Sequence, residues 1–382
     1  MTIKTATKTP WWAWVWPLLA LVMLGLQLLL HGNVLITAFE AFALIATVFA
    51  AVYHAEVVAH KVGEPFGSLV LALAVTIIEV ALIVSVMITG AGDSSGLARD
   101  TIFAAVMIVC NGIVGLCLLG GGLRHREQDF QLQGANAALS VLIALTSLSM
   151  VFPNVTTSTT GRTYSSSQLI FAAIVSLALY GSFLFVQTIR HRDYFLPVSV
   201  GEEHAAPPPS RVAATSAGLL LVALVAIVGL AKVLTPTVER AIAKAGAPES
   251  VVGVVIAALV LMPEGLAAYR SARANRLQIS MNLALGSALA SIGLTIPAVA
   301  MVSIFLHKPL TLGLEPKEIV LLFVTLILSQ TTLGTKDERV AGGCASGDVR
   351  GVLVLGRGAV SNRQPVAEPR THRRGTWFLV DH

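Results

Sequence analysis

The chain has 382 residues, of which 55% are hydrophobic and only 12% are charged, and its mean hydropathy is +0.78. This composition argues against a soluble multidomain enzyme with a charged surface. The net charge of +5 comes from bases that stand singly or in short clusters between apolar runs, so it indicates membrane topology and no nucleic-acid role. Three cysteines cannot form a disulfide framework, and Cys110 and Cys117 are about 10 Å apart along one predicted helix, so buried thiols are expected.

Apolar runs of roughly 18–25 residues recur along the chain and predict an all-α, polytopic membrane protein. The runs are continuous and lack the alternation of a transmembrane β-barrel. The first run opens with four tryptophans, which form an interfacial belt, and is predicted to stay as an N-terminal helix within residues 1–30. About ten spans are predicted, at residues 11–30, 33–53, 66–89, 101–121, 134–153, 168–188, 214–234, 250–269, 281–305 and 316–333.

The loops between these runs predict the topology. Lysine and arginine are concentrated in alternate loops, which places the N-terminus in the cytoplasm under the positive-inside rule. Residues 189–213 are polar and contain three consecutive prolines, so they are predicted to form a cytoplasmic linker between a first half at 31–188 and a second half at 214–335. A helical protein of this kind is expected in the bacterial inner membrane.

Two glutamates lie deep inside predicted spans, where a charged carboxylate costs a few kcal/mol at least. Glu79 and Glu264 each follow about a dozen residues of an apolar, glycine-containing run, and Glu56 precedes the first as Glu239 precedes the second. The first run starts in the cytoplasm and the second starts outside, so the two segments are predicted to be inverted repeats. Inverted repeats that meet at midplane carboxylates are typical of a secondary transporter. An interhelical hydrogen bond or a position at a span edge is the alternative for either glutamate.

The chemistry of this pair follows from its oxygens. Carboxylates are hard ligands for Ca²⁺, Na⁺ or K⁺, and burial favours the protonated form of such a group, so a proton competes with a cation for the same site. A site that holds either one and alternates its access exchanges them across the membrane. Pro263 and Gly265 flank Glu264 and predict a helix break whose freed carbonyls also ligate a cation.

Weaker candidates surround this pair. Glu56, His54 and His60 are candidates for a proton relay into the third span, with a solvated interface as the alternative, and the six-residue spacing of the histidines excludes a zinc-protease helix. Glu40 is expected to be a snorkelling or paired carboxylate, and the cluster at 202–204 is expected to be a solvated loop. Auxiliary ligands, or packing contacts between helices, are the two interpretations of Asn111, Asn282, Ser287 and Ser291.

Several strings resemble one family. The segments from His54 to Val80, from Pro263 to Leu266 and from Met281 to Pro297 are similar to the bacterial ChaA calcium/proton antiporters of the cation/Ca²⁺ exchanger superfamily, over about residues 30 to 335. The resemblance implies eleven helices, two inverted repeats and Ca²⁺ export driven by proton entry, with Na⁺ and K⁺ as further substrates and no cofactor. It also implies that Glu79 and Glu264 are the acidic centres of the two repeats and that Glu56 is the acidic residue preceding the first.

The sequence departs from that pattern in two places. The linker around 201–204 is shorter and less acidic than the acid-rich loop of the family, and an eleventh helix is missing. Residues 336–382 instead form an arginine-rich tail. A shifted reading of suitable codons after Lys336 encodes an apolar span, so we hypothesise a frameshift near that residue.

These features predict a transporter that exports Ca²⁺, or Na⁺ or K⁺, in exchange for protons, with the lipid bilayer as its surroundings. A cation channel is the alternative, and it would pass cations without moving protons in strict proportion. An intramembrane enzyme is less favoured, because the sequence contains no recognisable cluster of a nucleophile or metal ligands in its spans.

Overall fold

The structure is a computed structural model that describes residues 9–27, 34–63, 66–89, 94–196, 208–246, 248 and 250–334. The predicted tail at 336–382, the middle of the predicted linker at 197–207 with its acidic cluster, and Glu64 lie outside the described residues. The helices are α1 Trp11–Gln27, α2 Val34–Val62, α3 Phe66–Thr89, α4 Leu97–Met107, α5 Val114–His125, α6 Leu132–Thr146, α7 Ser166–Phe185, α8 Ser210–Lys244, α9 Ser250–Arg273, α10 Leu277–Leu306 and α11 Pro316–Gly334.

Wide helical turns extend or join several of these helices. A π-helical segment at Ile108–Ile113 joins α4 and α5 into one continuous helix, and shorter π-helical segments follow α6 and α7. The regular structure of the described residues is otherwise helical, apart from one isolated antiparallel bridge between Thr163 and Thr311. The all-α prediction is therefore confirmed.

The apolar helices match the predicted membrane spans. Within the described residues, eight helical segments are long and apolar enough to cross a bilayer, and Trp11–Leu26 and Leu73–Ser85 are shorter apolar helices. The chain is therefore a multi-pass membrane protein. Most helices continue several residues past the predicted spans, because their polar ends project beyond the hydrocarbon layer; α8 at Ser210–Lys244, for example, also takes in the last residues of the predicted linker. The exact number of spans and the inverted repeats stay predictions.

Helix α10 lies at the centre of the bundle. It packs against α3, α6, α7 and α9, and its residues between Met281 and Ser303 are mostly buried. The sequence is consistent with this position, because α10 is rich in glycine, alanine and serine, and small and hydroxyl residues favour contacts between helices in a membrane. Close packing is helped by Gly293, where an added Cβ would lie 2.6 Å from the Cβ of Tyr180 on α7.

Short loops tie one end of the bundle together. The backbone of residues 311–314 donates hydrogen bonds to the carbonyls of Ser95, Arg162 and Met150. Glu315 accepts from Lys317 at 3.0 Å and pairs with Arg162 at 3.7 Å. The hydrogen bond and charge of Lys317 hold the pKa of the Glu315 carboxyl below its ordinary value of 4.5. This is the end that the topology prediction places outside the cell.

Candidate functional site

A line of three hydroxyl groups on α10 forms one side of the candidate site. Ser287, Ser291 and Thr295 are four residues apart, so their side chains lie on one face of the helix. Ser287 donates a hydrogen bond to Oε2 of Glu264, and Thr295 donates to Oε2 of Glu79 at 3.0 Å. Ser291 lies between them and is also within hydrogen-bonding reach of Glu79. The two carboxylates from different helices therefore meet the same face of α10.

Both carboxylates are buried. Glu79 on α3 is 2% exposed and Glu264 on α9 is 7% exposed, and α3 and α9 both pack against α10. Glu264 lies close enough to Glu79, and Glu56 on α2 close enough to Glu264, for their charges to interact. Hydroxyl donors offset part of the cost of burying a charged carboxylate, which an apolar surrounding cannot do.

A cavity of about 110 Å³ reaches Glu264. It extends from Glu264, Ser287 and Ser291 towards Gln187 and Asn282, near the C-terminal end of α7 and the N-terminal end of α10. That end of the bundle carries Arg190 and the other arginines that the positive-inside rule places in the cytoplasm. Further lining residues are Val75, Thr76, Tyr180, Phe183, Leu184, Leu283, Gly286 and Ala290.

The side chains of the two asparagines predicted as ligands already form hydrogen bonds with other parts of the protein. Nδ2 of Asn282 donates to the carbonyl of Phe195 at 2.6 Å, and its Oδ1 accepts from Gln278 at 2.9 Å, although the residue lines the cavity. Asn111 lies in the π-helical segment and donates to Oγ1 of Thr325 on α11 at 3.0 Å. The structure thus places Asn111 in an interhelical contact and outside the cavity lining.

The structure places the three predicted relay residues in different surroundings. Glu56 is half-buried and lies close enough to Glu264 for their charges to interact, whereas His60 is exposed near the end of α2. His54 is completely buried, and its Nε2 lies 2.9 Å from the carbonyl of Ala13 on α1, so it faces away from the cavity. The expectation for Glu40 is wrong: its side chain is fully buried between helices, and neither of its oxygens has a hydrogen-bond partner among the residues that the structure describes.

The predicted break around Pro263 and Gly265 is also wrong. Helix α9 continues through both residues, since proline's fixed φ is compatible with a helix and membrane helices tolerate the missing donor. The missing N–H still leaves the carbonyl of Leu259 without its usual partner. Gly265 permits close packing, because an added Cβ would lie 3.0 Å from Ile113.

Sequence reasoning missed four polar residues of the site. Thr295 holds Glu79, and the side chains of Thr76, Tyr180 and Gln187 line the cavity. A signal for Thr295 was present, because it continues the four-residue spacing of Ser287 and Ser291. No such signal marks the other three, which come from neighbouring helices. Among the described residues, no group of three or more His, Cys, Asp or Glu side chains is placed to hold a metal ion.

Comparison with known proteins gives consistent similarities. The sodium/calcium exchanger protein family model matches residues 12–189 and 215–342. The "Putative ionic transporter y4hA" of Sinorhizobium fredii is 47% identical over 86% of this chain and 91% of its own length. The sodium-potassium/proton antiporter ChaA of Escherichia coli is 33% identical over 87% of this chain and 92% of its own length.

A solved structure has the same fold. The structure of native YfkE superimposes with a TM-score of 0.66 at 18% identity, covering 91% of this chain and 98% of YfkE. At that identity the likeness shows the shared fold alone.

Proposed function

Because the chain belongs to the sodium/calcium exchanger protein family, we propose that it is a secondary active antiporter that exchanges a cation for protons. The observation that carries this proposal is the meeting of Glu79 and Glu264 on the hydroxyl line of α10. One relative is named a sodium-potassium/proton antiporter, which supports proton-coupled exchange for this chain as well.

In the proposed cycle the cation is the cargo. Carboxylate oxygens of Glu79 and Glu264 bind it, with the hydroxyl oxygens of Ser287 and Ser291 as further ligands. Two carboxylates suit Ca²⁺ best by charge, while Na⁺ and K⁺ are the other candidate substrates. Protons that reach the same oxygens neutralise the pair and release the cation, so binding of the two is mutually exclusive.

The access states follow from the two ends of the bundle. The cavity leads to Glu264 from the arginine-rich end, and the opposite end is tied by the loops around 95, 162 and 311–315. We therefore assign this arrangement to the inward-facing state, with the N-terminus in the cytoplasm and the protein in the bacterial inner membrane. In this state the cation binds from the cytoplasm, and the protons are released to the cytoplasm. Rearrangement of the two inverted halves around the carboxylates then exposes the site outside.

The glutamate side chains supply the proton coupling, and this separates the antiporter from its alternatives. A channel would conduct the cation with no fixed ratio to protons. An enzyme is disfavoured because the named relatives are transporters.

Everted membrane vesicles test the proposal. A proton gradient is established at alkaline pH, and Ca²⁺, Na⁺ and K⁺ are added in turn while the gradient is followed with a fluorescent dye. We expect one of these ions to dissipate the gradient in the wild type, and Glu79→Gln and Glu264→Gln to abolish the response, because the amide keeps the shape and cannot titrate. Asp129→Asn, which changes an exposed loop carboxylate, is the control and is expected to behave as wild type.

Two results would contradict the proposal: exchange at near wild-type rate in either glutamate variant, or no ion-dependent proton movement in both the wild type and the frame-restored chain when both are inserted and folded. A parallel chain with the reading frame restored after Lys336 tests the frameshift hypothesis. Activity in the restored chain alone would support that hypothesis, and equal activity in both chains would argue against it.

A further inference from the structure

A long apolar groove lies on the outside of the bundle, between α3, α8 and α10. Its volume is about 650 Å³, and its α3 wall is a stripe from Leu73 to Ile88. At 1.5 Å per residue this stripe is about 22 Å long, which exceeds the thickness of one leaflet of a hydrocarbon core of about 30 Å. Several of its residues are well exposed, with Leu73 at 51% and Ile88 at 56%. In a membrane such a groove is filled by hydrocarbon.

One positively charged side chain, that of Lys232, lines this apolar groove. Lys232 on α8 is exposed and lines the groove, and it forms no ion pair or hydrogen bond with any residue that the structure describes. The other residues that line the groove are uncharged. A lysine within a membrane helix needs either a partner or a route to the interface.

The depth of Lys232 favours a partner at the headgroup level. Gly229, three residues earlier, lies against Leu24 near the C-terminal end of α1, so Lys232 is close to the end of the bundle opposite the arginine-rich loops. An ammonium at this level, above an apolar groove, is complementary to a molecule with an anionic head and a hydrocarbon tail.

We propose that this groove binds an anionic phospholipid, with its phosphate on Lys232 and one acyl chain along the stripe of α3. The site goes beyond cation exchange, and its existence does not depend on the transport activity. Its position has a consequence for transport, because Thr76 lines both this groove and the cavity of Glu264. An acyl chain in the groove thus packs against the wall of the ion cavity, three residues from Glu79.

Thermal unfolding of the purified full-length protein in detergent tests the binding. The melting temperature is measured with added phosphatidylglycerol, with phosphatidylcholine, and with inorganic phosphate. We expect phosphatidylglycerol to raise the melting temperature by several degrees more than phosphatidylcholine, and inorganic phosphate to have no effect, because at equal concentration a ligand that binds more tightly stabilises the folded state more. Equal effects of the two lipids, or the full effect from inorganic phosphate, would overturn the proposal.

Substitutions locate the site. Lys232→Gln is expected to remove the preference for phosphatidylglycerol, and Ala298→Phe, which fills the groove, is expected to reduce stabilisation by either lipid. Lys244→Gln changes an exposed lysine at the end of the same helix and is the matched control, in which the preference is retained. An unchanged preference in Lys232→Gln would overturn the assignment, and so would its loss in Lys244→Gln.

Exchange in vesicles of defined composition gives a separate readout. With phosphatidylglycerol present we expect faster exchange for the wild type than for Lys232→Gln, and equal rates in phosphatidylcholine alone. Absence of exchange in every sample would contradict the proposed transport function while the melting measurements still test the lipid site.

Discussion

Glu79 on α3 and Glu40 on α2 are both buried carboxylates inside apolar helices, but their surroundings differ. Glu79 accepts a hydrogen bond from Thr295, lies within reach of Ser291 and is close enough to Glu264 to feel its charge. Neither oxygen of Glu40 forms a hydrogen bond within the part of the chain that the structure describes. A buried carboxylate is thus not sufficient to mark an ion site; the hydroxyl donors and the second carboxylate distinguish Glu79.

The same contrast holds for the hydroxyl groups. The line on α10 points its oxygens at carboxylates, whereas Thr47 of α2 donates to the backbone carbonyl of Ala43 at 2.6 Å. His54 likewise contacts the carbonyl of Ala13. Thr47, which also donates to the carbonyl of Trp16 at 3.3 Å, and His54 therefore tie α2 to the backbone of α1, whereas the hydroxyl groups of α10 form the candidate binding site.

The largest effect is expected when the Glu79 carboxylate is replaced by an amide and compared with the same replacement at Glu40. Glu79→Gln should reduce cation-dependent proton movement to background, because the amide cannot titrate or bind a cation with a full charge. Glu40→Gln should leave the rate within about twofold of wild type, the scatter expected of a residue outside the site. The measurement is the vesicle assay at matched expression, and loss of exchange in Glu40→Gln would break the comparison.

A smaller effect is expected for the hydroxyl groups. Thr295→Val removes a hydrogen bond to a carboxylate, which is worth about 1.5–3 kcal/mol, so the apparent cation affinity should fall about 10- to 100-fold. Thr47→Val removes a bond to a backbone carbonyl and is the matched control. Its affinity should equal that of the wild type. Titration of exchange against cation concentration measures both, and equal losses in the two variants would show that the effect is structural.

The packing that holds α10 in place gives a third test. Gly293→Ala places a methyl group where the Tyr180 side chain lies, so it should lower the free energy of unfolding by about 1–3 kcal/mol. Gly218→Ala on α8 meets nothing within 4 Å and should raise the stability by about 0.5–1 kcal/mol. Unfolding in detergent measures both variants. A Gly293→Ala variant as stable as Gly218→Ala would show that α10 is not closely packed against α7.

The smallest effect concerns the tied end of the bundle. The lowered pKa of Glu315 means that its interaction stabilises the fold above pH 4.5 and that this contribution is lost as the pH falls through the lower folded value. Glu315→Gln should therefore lower the melting temperature slightly at neutral pH and leave it unchanged in acid. Glu127→Gln, in an exposed loop, is the control. A decrease that persists in acid would assign the effect of Glu315→Gln to packing.

Much of the fold was predictable because long apolar runs have few alternatives in a bilayer. Each predicted apolar run overlaps a helical segment of the described chain, with α4 and α5 continuous through Asn111, while the number of membrane crossings stays a prediction. The carboxylates at Glu79 and Glu264 stood out because a charge in an apolar run is costly. The helix break at Pro263 and Gly265 was predicted wrongly, because local propensity does not tell whether the neighbouring helices keep a proline-containing helix intact.

By itself, the sequence determined that the chain is a helical membrane protein and which carboxylates lie deep in its spans, because hydrophobic periodicity and the cost of buried charge are local properties. Only the tertiary structure decided which polar groups meet. It brought Ser287 to Glu264 and Thr295 to Glu79, buried Glu40 with no hydrogen-bond partner among the described residues, and turned Asn111 towards α11. These pairings depend on how helices far apart in the chain rotate and pack against one another, which no single helix encodes.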